Sequence, residues 1–384
     1  MSEKCQEATS QKEAAIIVRS DPRIGGRMLQ VHVRKDDIRT AHAVDIPLSP
    51  LPEGAARLHL KLFGLSANNV TYAAGGEGAY GWWDFFPGPP GWGVLPCWGI
   101  ADVINSRAPS LAIGTRYYGY FPIAETLDVL PINVSDRGFA DGSPHRANKA
   151  AVYNQYHLTT ADPLYDPEFE PEQVLLRPTF VGGWWLADFV HRRTPHTVVM
   201  SSASSKSALA TACQLRRLGH YRLVALTSAR NISYTRDTAL YHQVLNYDDV
   251  ASLPTNAPTT YVDFLGRESL IAKVHDVLGE SLTRSVMFGA TDWTDKPGGV
   301  QPPKVALKGP KPEVFFTSNH RDTRLGEDPA LSGAMQRDTR AFYPSSRKFV
   351  TIHSIRGVDE IISCWIRLLS GDVGPREGLV LQFQ

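Results

Sequence analysis

The sequence predicts an α/β protein in two parts, an antiparallel β-rich portion and a doubly wound parallel sheet. Three observations predict it. Apolar and polar residues alternate up to about residue 135, as in half-buried strands separated by turns. After Asp162, short apolar runs alternate with helical patterns, as parallel strands joined by crossover helices do. A chain of 384 residues also exceeds what one compact core usually holds, so two domains are expected.

In order, residues 1–27 are polar and poorly patterned, a lead-in to the first strand. MLQVHVRKDDI and RLHLKLFGLSANNV read as antiparallel strands. YGWWDFFPGPPGWGVLPCWG is too rich in Gly and Pro for a helix interior, and GTRYYGYFPIAETLDVLP resumes the strand-and-turn pattern. EQVLLRPTFVGGWWLADFVHRR has partly helical spacing, with Pro171 and Glu172 suited to a first turn. Pro178 and the pair Gly182 and Gly183 are expected to break it into two shorter pieces. HTVVMSSAS reads as a buried strand, SALATACQLRRLG as an amphipathic helix ending at Gly219, and RLVALTSA, TTYVDFLG and SVMFGATDW as later parts of the same sheet. The Pro- and Lys-rich VQPPKVALKGPKPEVFF is a loop followed by a strand. SGAMQRDTRAFY and VDEIISCWIRLLSG are helical, and REGLVLQFQ closes the chain as a strand. The expected division is 1–160 for the β-rich part, 161–305 for the parallel-sheet domain, and 306–384 for a return to the first part.

Lys plus Arg number 40 against 39 for Asp plus Glu, which removes the usual electrostatic warrant for nucleic-acid or anionic-membrane binding. No run approaches the ~20 apolar residues that span a bilayer, and the N-terminus lacks a signal-peptide core. A cytoplasmic protein with a small-molecule partner is therefore expected. Cys5, Cys97, Cys213 and Cys364 lie too far apart for a metal-ligand spacing, so no metal is expected, and Cys97 reads as a buried small hydrophobe.

This order of parts, with GLSANNVTYA, GTRYYGYFPIAETLDV and HTVVMSSASSKSALATACQLRRLGHYRLVALTSARN, resembles the zinc-free branch of the medium-chain dehydrogenase/reductase superfamily. LSANNVTYA, DFFP, YNQY, SSASSKSA and GATDW together resemble a reductase-like family of unknown function within it. The resemblance covers residue 28 to the end. It implies a GroES-like catalytic domain, a Rossmann-like (medium-chain reductase-like) nucleotide domain and a homodimer. Fold alone does not settle the chemistry.

On that pattern, Ser202, Ser205 and Ala208 stand where relatives prefer glycines and small residues, Ser204 is a further candidate cofactor contact in the same turn, and Lys206 adds a charge suited to a diphosphate. The alternative is a Rossmann domain that binds no cofactor. The second strand ends in Thr227, Ser228, Ala229 and Arg230 with no carboxylate for ribose hydroxyls. Hydroxyls and a guanidinium suit a 2′-phosphate, so NADPH is expected over NADH, unless Arg230 is only a solvated loop residue. Gly289, in SVMFGATDW, completes the cofactor-side set.

A reductase without zinc needs side chains to supply a proton or polarise a carbonyl. Tyr72 matches the cleft-lining segment and is the first candidate, with Asn69 beside it and packing at the domain boundary as its alternative. Trp83, in a stretch also holding Trp82, Trp92 and Trp98, would form an apolar substrate wall or cover one end of the β-domain. Tyr153, Tyr156 and His157, in VYNQYH, fall at the expected domain junction and are candidate substrate contacts. The expected function is an NADPH-dependent, zinc-independent reductase of a carbonyl or activated alkene on a hydrophobic small molecule. A non-redox lyase or isomerase, or a non-enzymatic dinucleotide-binding protein, are the alternatives.

Overall fold

A computed structural model describes residues 26–77, 81–289 and 300–384. Most of the N-terminal lead-in, and GATDW beyond Gly289, lie outside the described residues. The first part runs through β1 (Arg27–Arg34), β2 (Ala41–Pro47) and β3 (Ala56–Leu65), then α1 (Ala67–Ala74). It continues with β4 (Trp92–Val94), β5 (Pro96–Ser106), β6 (Arg116–Pro122), β7 (Thr126–Val129), β8 (Pro131–Ser135), β9 (Gly138–Asp141) and β10 (Gln155–Leu158). α2 (Glu170–His191) leads into β11 (Thr197–Met200), α3 (Lys206–Leu218), β12 (Arg222–Thr227), α4 (Ile232–Asp237) and β13 (Gln243–Asn246). β14 (Thr259–Asp263), α5 (Glu268–Leu278), β15 (Leu282–Met287) and β16 (Glu313–Val314) complete the alternating region. α6 (Thr317–Glu327), α7 (Ala330–Ser346), β17 (Thr351–Arg356), α8 (Val358–Leu369) and β18 (Glu377–Gln382) end the chain.

Among the described residues the strands form three sheets. β2-β1-β4 is antiparallel, and the largest sheet follows the order β17-β18-β3-β5-β6-β10-β9-β8, with β7 also on β3. β13-β12-β11-β14-β15-β16 is parallel throughout. Each crossover there carries a helical or looped connection, and its strands read as unbroken apolar runs because both faces are covered. The expected α/β class, with an antiparallel part and a doubly wound parallel sheet, is what the chain adopts.

The chain's end returns to its beginning. β18 pairs antiparallel with β3 at Leu379 opposite Leu65, and Trp365 of α8 donates its indole N–H to the Ile38 carbonyl at 2.8 Å. One core fills the β-rich part and includes Ile361, Trp365 and Leu379 from this returning segment. A second lies between α2, α3 and the parallel sheet, and a third fills the opposite face beneath α5.

Two local expectations need correction. The segment after GLS is not strand: Ser66 caps α1 in a reciprocal capping box with Asn69, and that local hydrogen bonding overrides the alternating pattern. α2 is also one unbroken helix despite Pro178, Gly182 and Gly183. A Cβ on Gly183 would sit 2.9 Å from the Thr211 backbone nitrogen, so the glycine permits close packing of α3 and does not end the helix.

Candidate functional site

A cleft of about 510 Å³ opens between the two parts at the carboxyl ends of the parallel strands, where open α/β sheets bind ligands. Five connections of the parallel sheet supply one wall. Ser202, Ser204, Ser205, Lys206 and Ser207 come from the β11–α3 turn; Ser228, Arg230 and Asn231 follow β12. Tyr247 follows β13, Phe264, Leu265 and Arg267 follow β14, and Phe288 and Gly289 follow β15. The facing wall is Ser66, Ala67, Asn68 and Thr71 of the α1 region, Pro178 and Thr179 of α2, and residues 368–371 with 373–375 from the returning chain.

The turn that begins α3 lacks glycine but keeps the glycine shape. Ser202 has φ 44°, in the left-handed region, at a cost of roughly 1–2 kcal/mol for a side-chain-bearing residue. Ser205 is the N-cap of α3, accepting from Ala208 N. Ser204 Oγ accepts from Thr227 Oγ1 at 3.2 Å and Asn231 Nδ2 at 3.0 Å, which leaves its own proton to donate. Thr227 itself is buried behind this turn and does not line the cleft, whereas Ser228 Oγ is buried there with no hydrogen-bond partner.

The turn is held from below by Asp263, the last residue of β14. Its carboxylate accepts from Ser201 Oγ (2.6 Å), Tyr261 Oη (2.8 Å) and Gly266 N (2.9 Å), and Ser201 Oγ in turn accepts from Phe264 N (2.9 Å). Burial holds this carboxyl above its ordinary pKa. Lys206 reaches across the cleft, its Nζ donating to the Glu377 carbonyl of β18 at 2.8 Å, and burial lowers the ammonium to about 8.

Arg230 is exposed and lies beside Gly371, which has φ 72° and whose hypothetical Cβ would be 3.1 Å from Nη2. Lys206, Arg230 and Arg267 therefore make the cleft cationic, and among its described lining residues there is no Asp, Glu, His or Cys.

The other expected site residues lie elsewhere. Tyr72 is buried and its hydroxyl accepts from Trp98 Nε1 at 3.3 Å, in an aromatic cluster with Trp82, Phe85, Phe86 and Tyr120. Burial pushes its phenol well above the ordinary pKa, so it holds its proton without any route to the cleft that these contacts provide. Asn69 is fully engaged, accepting from Ser66 N at 2.8 Å and donating to the Pro96 carbonyl at 2.8 Å. Neither residue lines the cleft; their neighbours Asn68 and Thr71 do, because α1 turns the alternate face outward.

Trp83 packs under Gly76 and Gly93, where any Cβ would meet its ring. Tyr153 lies against Trp82 and Tyr120, at 4.9 and 5.0 Å between ring centroids. Tyr156 Oη donates to the Tyr120 carbonyl and accepts from Arg146, each at 2.8 Å. His157, on β10, has its pKa lowered by burial and by Arg177. These four form no wall of the cleft: the aromatic stretch packs on itself. The Arg146 guanidinium, fully buried against Asp141 at 3.3 Å, serves that interior.

Sequence reasoning missed Arg267, Asn231, Asp263 and the returning residues 368–375. DFLGR carried a signal for two of them, since a charged residue follows the end of an apolar strand. The returning segment carried none, because only pairing of β18 with β3 brings it there. Among the described residues, no group of three or more His, Cys, Asp or Glu is placed to hold a metal ion. No helix among them is long and apolar enough to cross a membrane.

A family model described as a protein of unknown function (DUF2855) matches residues 63–374. No curated protein matches the sequence. Among solved structures, CurA from Vibrio vulnificus is similar at TM-score 0.61 and 12% identity, over 93% of this chain and 99% of that one. CurA from the same organism in complex with NADPH gives 0.60 at 12% identity with the same coverage. The quinone oxidoreductase from Coxiella burnetii gives 0.52 at 13% identity, over 93% of this chain and all of its own. The shared property is the fold: a GroES-like antiparallel part and a Rossmann-like parallel sheet, as in quinone-oxidoreductase-like medium-chain reductases.

Proposed function

Because the chain belongs to the DUF2855 family of proteins of unknown function, we propose its activity from the cleft: an NADPH-dependent, zinc-independent reductase of a carbonyl or activated alkene on a hydrophobic small molecule. The observation that carries this reading is the cleft's donor set. A glycine-shaped turn at the start of α3, serine hydroxyls, three cations and, among the described lining residues, no carboxylate suit a ligand bearing several phosphate charges. The buried, unpartnered Ser228 Oγ beside Arg230 fits a phosphate on the adenosine ribose, and no acid among the described lining residues would compete for it.

On this reading Ser202, Ser204 and Ser205 hold the diphosphate, and Ser228, Arg230 and Arg267 hold the 2′-phosphate. Gly289 lies where a Cβ would come within 2.9 Å of the Phe264 carbonyl, so its bareness keeps the two loops together. The reduced nicotinamide supplies hydride when bound. Phe264, Leu265, Phe288, Leu368 and Leu369 give the apolar surface that excludes water and receives a hydrophobic substrate. That solved structures of this fold include one in complex with NADPH supports the choice of cofactor.

The test is a tryptophan-fluorescence titration of the purified protein with NADPH and NADH. Micromolar NADPH binding is expected, with NADH weaker by tenfold or more, about 1.4 kcal/mol or greater. Arg230→Ala should erase most of that preference. No binding of either nucleotide at millimolar concentration removes the reductase reading and leaves the non-redox alternatives.

A further inference from the structure

A second hollow, of about 270 Å³, opens at the end of the parallel sheet opposite the cleft. Three neighbouring strands bring its walls together. His196 precedes β11, Tyr221 and Arg222 enter β12, and His242 precedes β13, while Arg216, Gly219 and His220 come from the end of α3 and the turn after it. Pairing of Thr197 with Arg222, and of Val224 with Gln243, sets these strand starts side by side at ~4.8 Å per strand. β12 then runs six residues to the cleft, so roughly 20 Å separates the hollow from Ser228.

Cationic and N–H-bearing groups dominate the lining. Arg216, Arg222 and three of the chain's 12 histidines meet here, in a chain whose formal net charge is only +1, so a general surplus of cations does not produce the cluster. The carboxyl end of α3 accounts for Arg216 and for Arg217 beside it, because cations complement a helix's last carbonyls. It does not account for His196, Arg222 and His242, which arrive from three strand starts. Arg217 is spent on Asp338 at 2.6 Å and does not line the hollow. Arg216 and Arg222 instead donate to neutral oxygens, the Leu240 carbonyl at 3.4 Å and Gln243 Oε1 at 3.1 Å, which orient a guanidinium without cancelling its charge.

The frame is braced. Leu223 N donates to His242 Nδ1 at 3.0 Å, so the ring's own proton sits on Nε2, a donor whatever the charge on the ring. The Tyr221 hydroxyl is hydrogen-bonded to His191 Nδ1, and Gly219 passes so close to the Tyr221 ring that a Cβ would lie 3.1 Å from it.

We propose that this hollow is a second ligand site, for a compact anion bearing one or two phosphate groups. Guanidiniums and imidazole N–H groups brought together from separate segments suit phosphate oxygens, which accept charge-assisted bonds from several directions at once. The volume lies below the ~300–1,000 Å³ of drug-sized ligand pockets, so a diphosphate or a sugar phosphate fits and a dinucleotide does not. The site stands whether or not the cleft binds NADPH.

Calorimetric titration of the full chain with inorganic pyrophosphate at low ionic strength tests it. A saturable, submillimolar site is expected, weakened tenfold or more in Arg222→Gln and severalfold in His242→Gln. Arg217→Gln removes a neighbouring charge outside the hollow and should leave the affinity within about twofold. These side chains are exposed, so the variants should melt with the wild type. Histidine ring-proton resonances, assigned through His196→Gln, His220→Gln and His242→Gln, should shift along the same binding curve. Unchanged affinity in both Arg222→Gln and His242→Gln, or unmoved resonances of these three rings, puts the pyrophosphate elsewhere and overturns the site. Equal losses in Arg217→Gln and Arg222→Gln reduce it to general surface charge, and no saturation by about 10 mM removes it altogether.

Discussion

Asp263 shows how a single buried side chain sets the shape of the cleft. Its carboxylate receives Ser201 Oγ, Tyr261 Oη and Gly266 N, so the end of β11 and the loop after β14 keep a fixed separation. Replacing it with alanine leaves two buried hydroxyls and a buried amide unpaired, and each such loss costs about 1–3 kcal/mol. Asp263→Ala is expected to lower unfolding free energy by roughly 3 kcal/mol or more in urea titrations, while Tyr261→Phe costs only about 1. Burial raises the folded pKa of this carboxyl, so its contribution to stability declines as pH rises from the unfolded value near 4 toward the folded one. Asp263→Asn should therefore flatten that part of the stability profile. An unchanged urea midpoint in Asp263→Ala would show that the loops do not depend on this carboxylate.

At the scale of elements, α2 holds together against its own local signals. Pro178 removes one helical hydrogen bond and two glycines weaken the next turn, yet Phe180, Trp184, Trp185 and Leu186 are buried among α3, α7 and the parallel sheet. Tertiary packing outweighs propensity here. The two glycines differ in what lies above them. At Gly183 a Cβ meets the Thr211 backbone nitrogen and Oγ1 at 2.9 Å, and a helix backbone cannot yield cheaply. At Gly182 the nearest atom is the far end of the Phe288 ring, also at 2.9 Å, which has room to swing into the cleft it lines. Gly183→Ala is expected to destabilise by about 1–3 kcal/mol despite alanine's better propensity. Gly182→Ala should be nearly neutral in thermal melts while disturbing ligand binding through Phe288. Equal effects in both melts would contradict this contrast.

Over the whole molecule, the sequence disclosed what is local and repeated, and hid what depends on distant contacts. The parallel sheet was legible because each strand is a short apolar run beside an amphipathic helix, and Ser202 to Lys206 were legible because the turn between β11 and α3 is contiguous. Tyr72 and Asn69 were misleading for the opposite reason: the segment does border the cleft, but α1, started by its capping box, turns those two inward and Asn68 and Thr71 outward. Trp83 packs into the core of the β-rich part under Gly76 and Gly93, and Trp82, Phe85, Phe86 and Tyr120 pack on one another, facts of three-dimensional packing that a cluster of aromatic letters does not disclose.

The least legible contribution is the returning chain, which crosses from α8 to β18 over the mouth of the cleft and sets Gly371 against Arg230. This loop needs a bare residue at φ 72°, and a side chain there costs about 1 kcal/mol in backbone strain before it touches anything. A Cβ would also sit 3.1 Å from the Arg230 guanidinium, whose direction would have to change. If Arg230 holds the 2′-phosphate, Gly371→Ala should weaken NADPH severalfold and NADH hardly at all, with only a small fall in melting temperature. If both nucleotides weaken equally, the loop shapes the cleft as a whole and not the phosphate end. Unchanged NADPH affinity would mean that the last residues of the chain close the fold without setting cofactor choice.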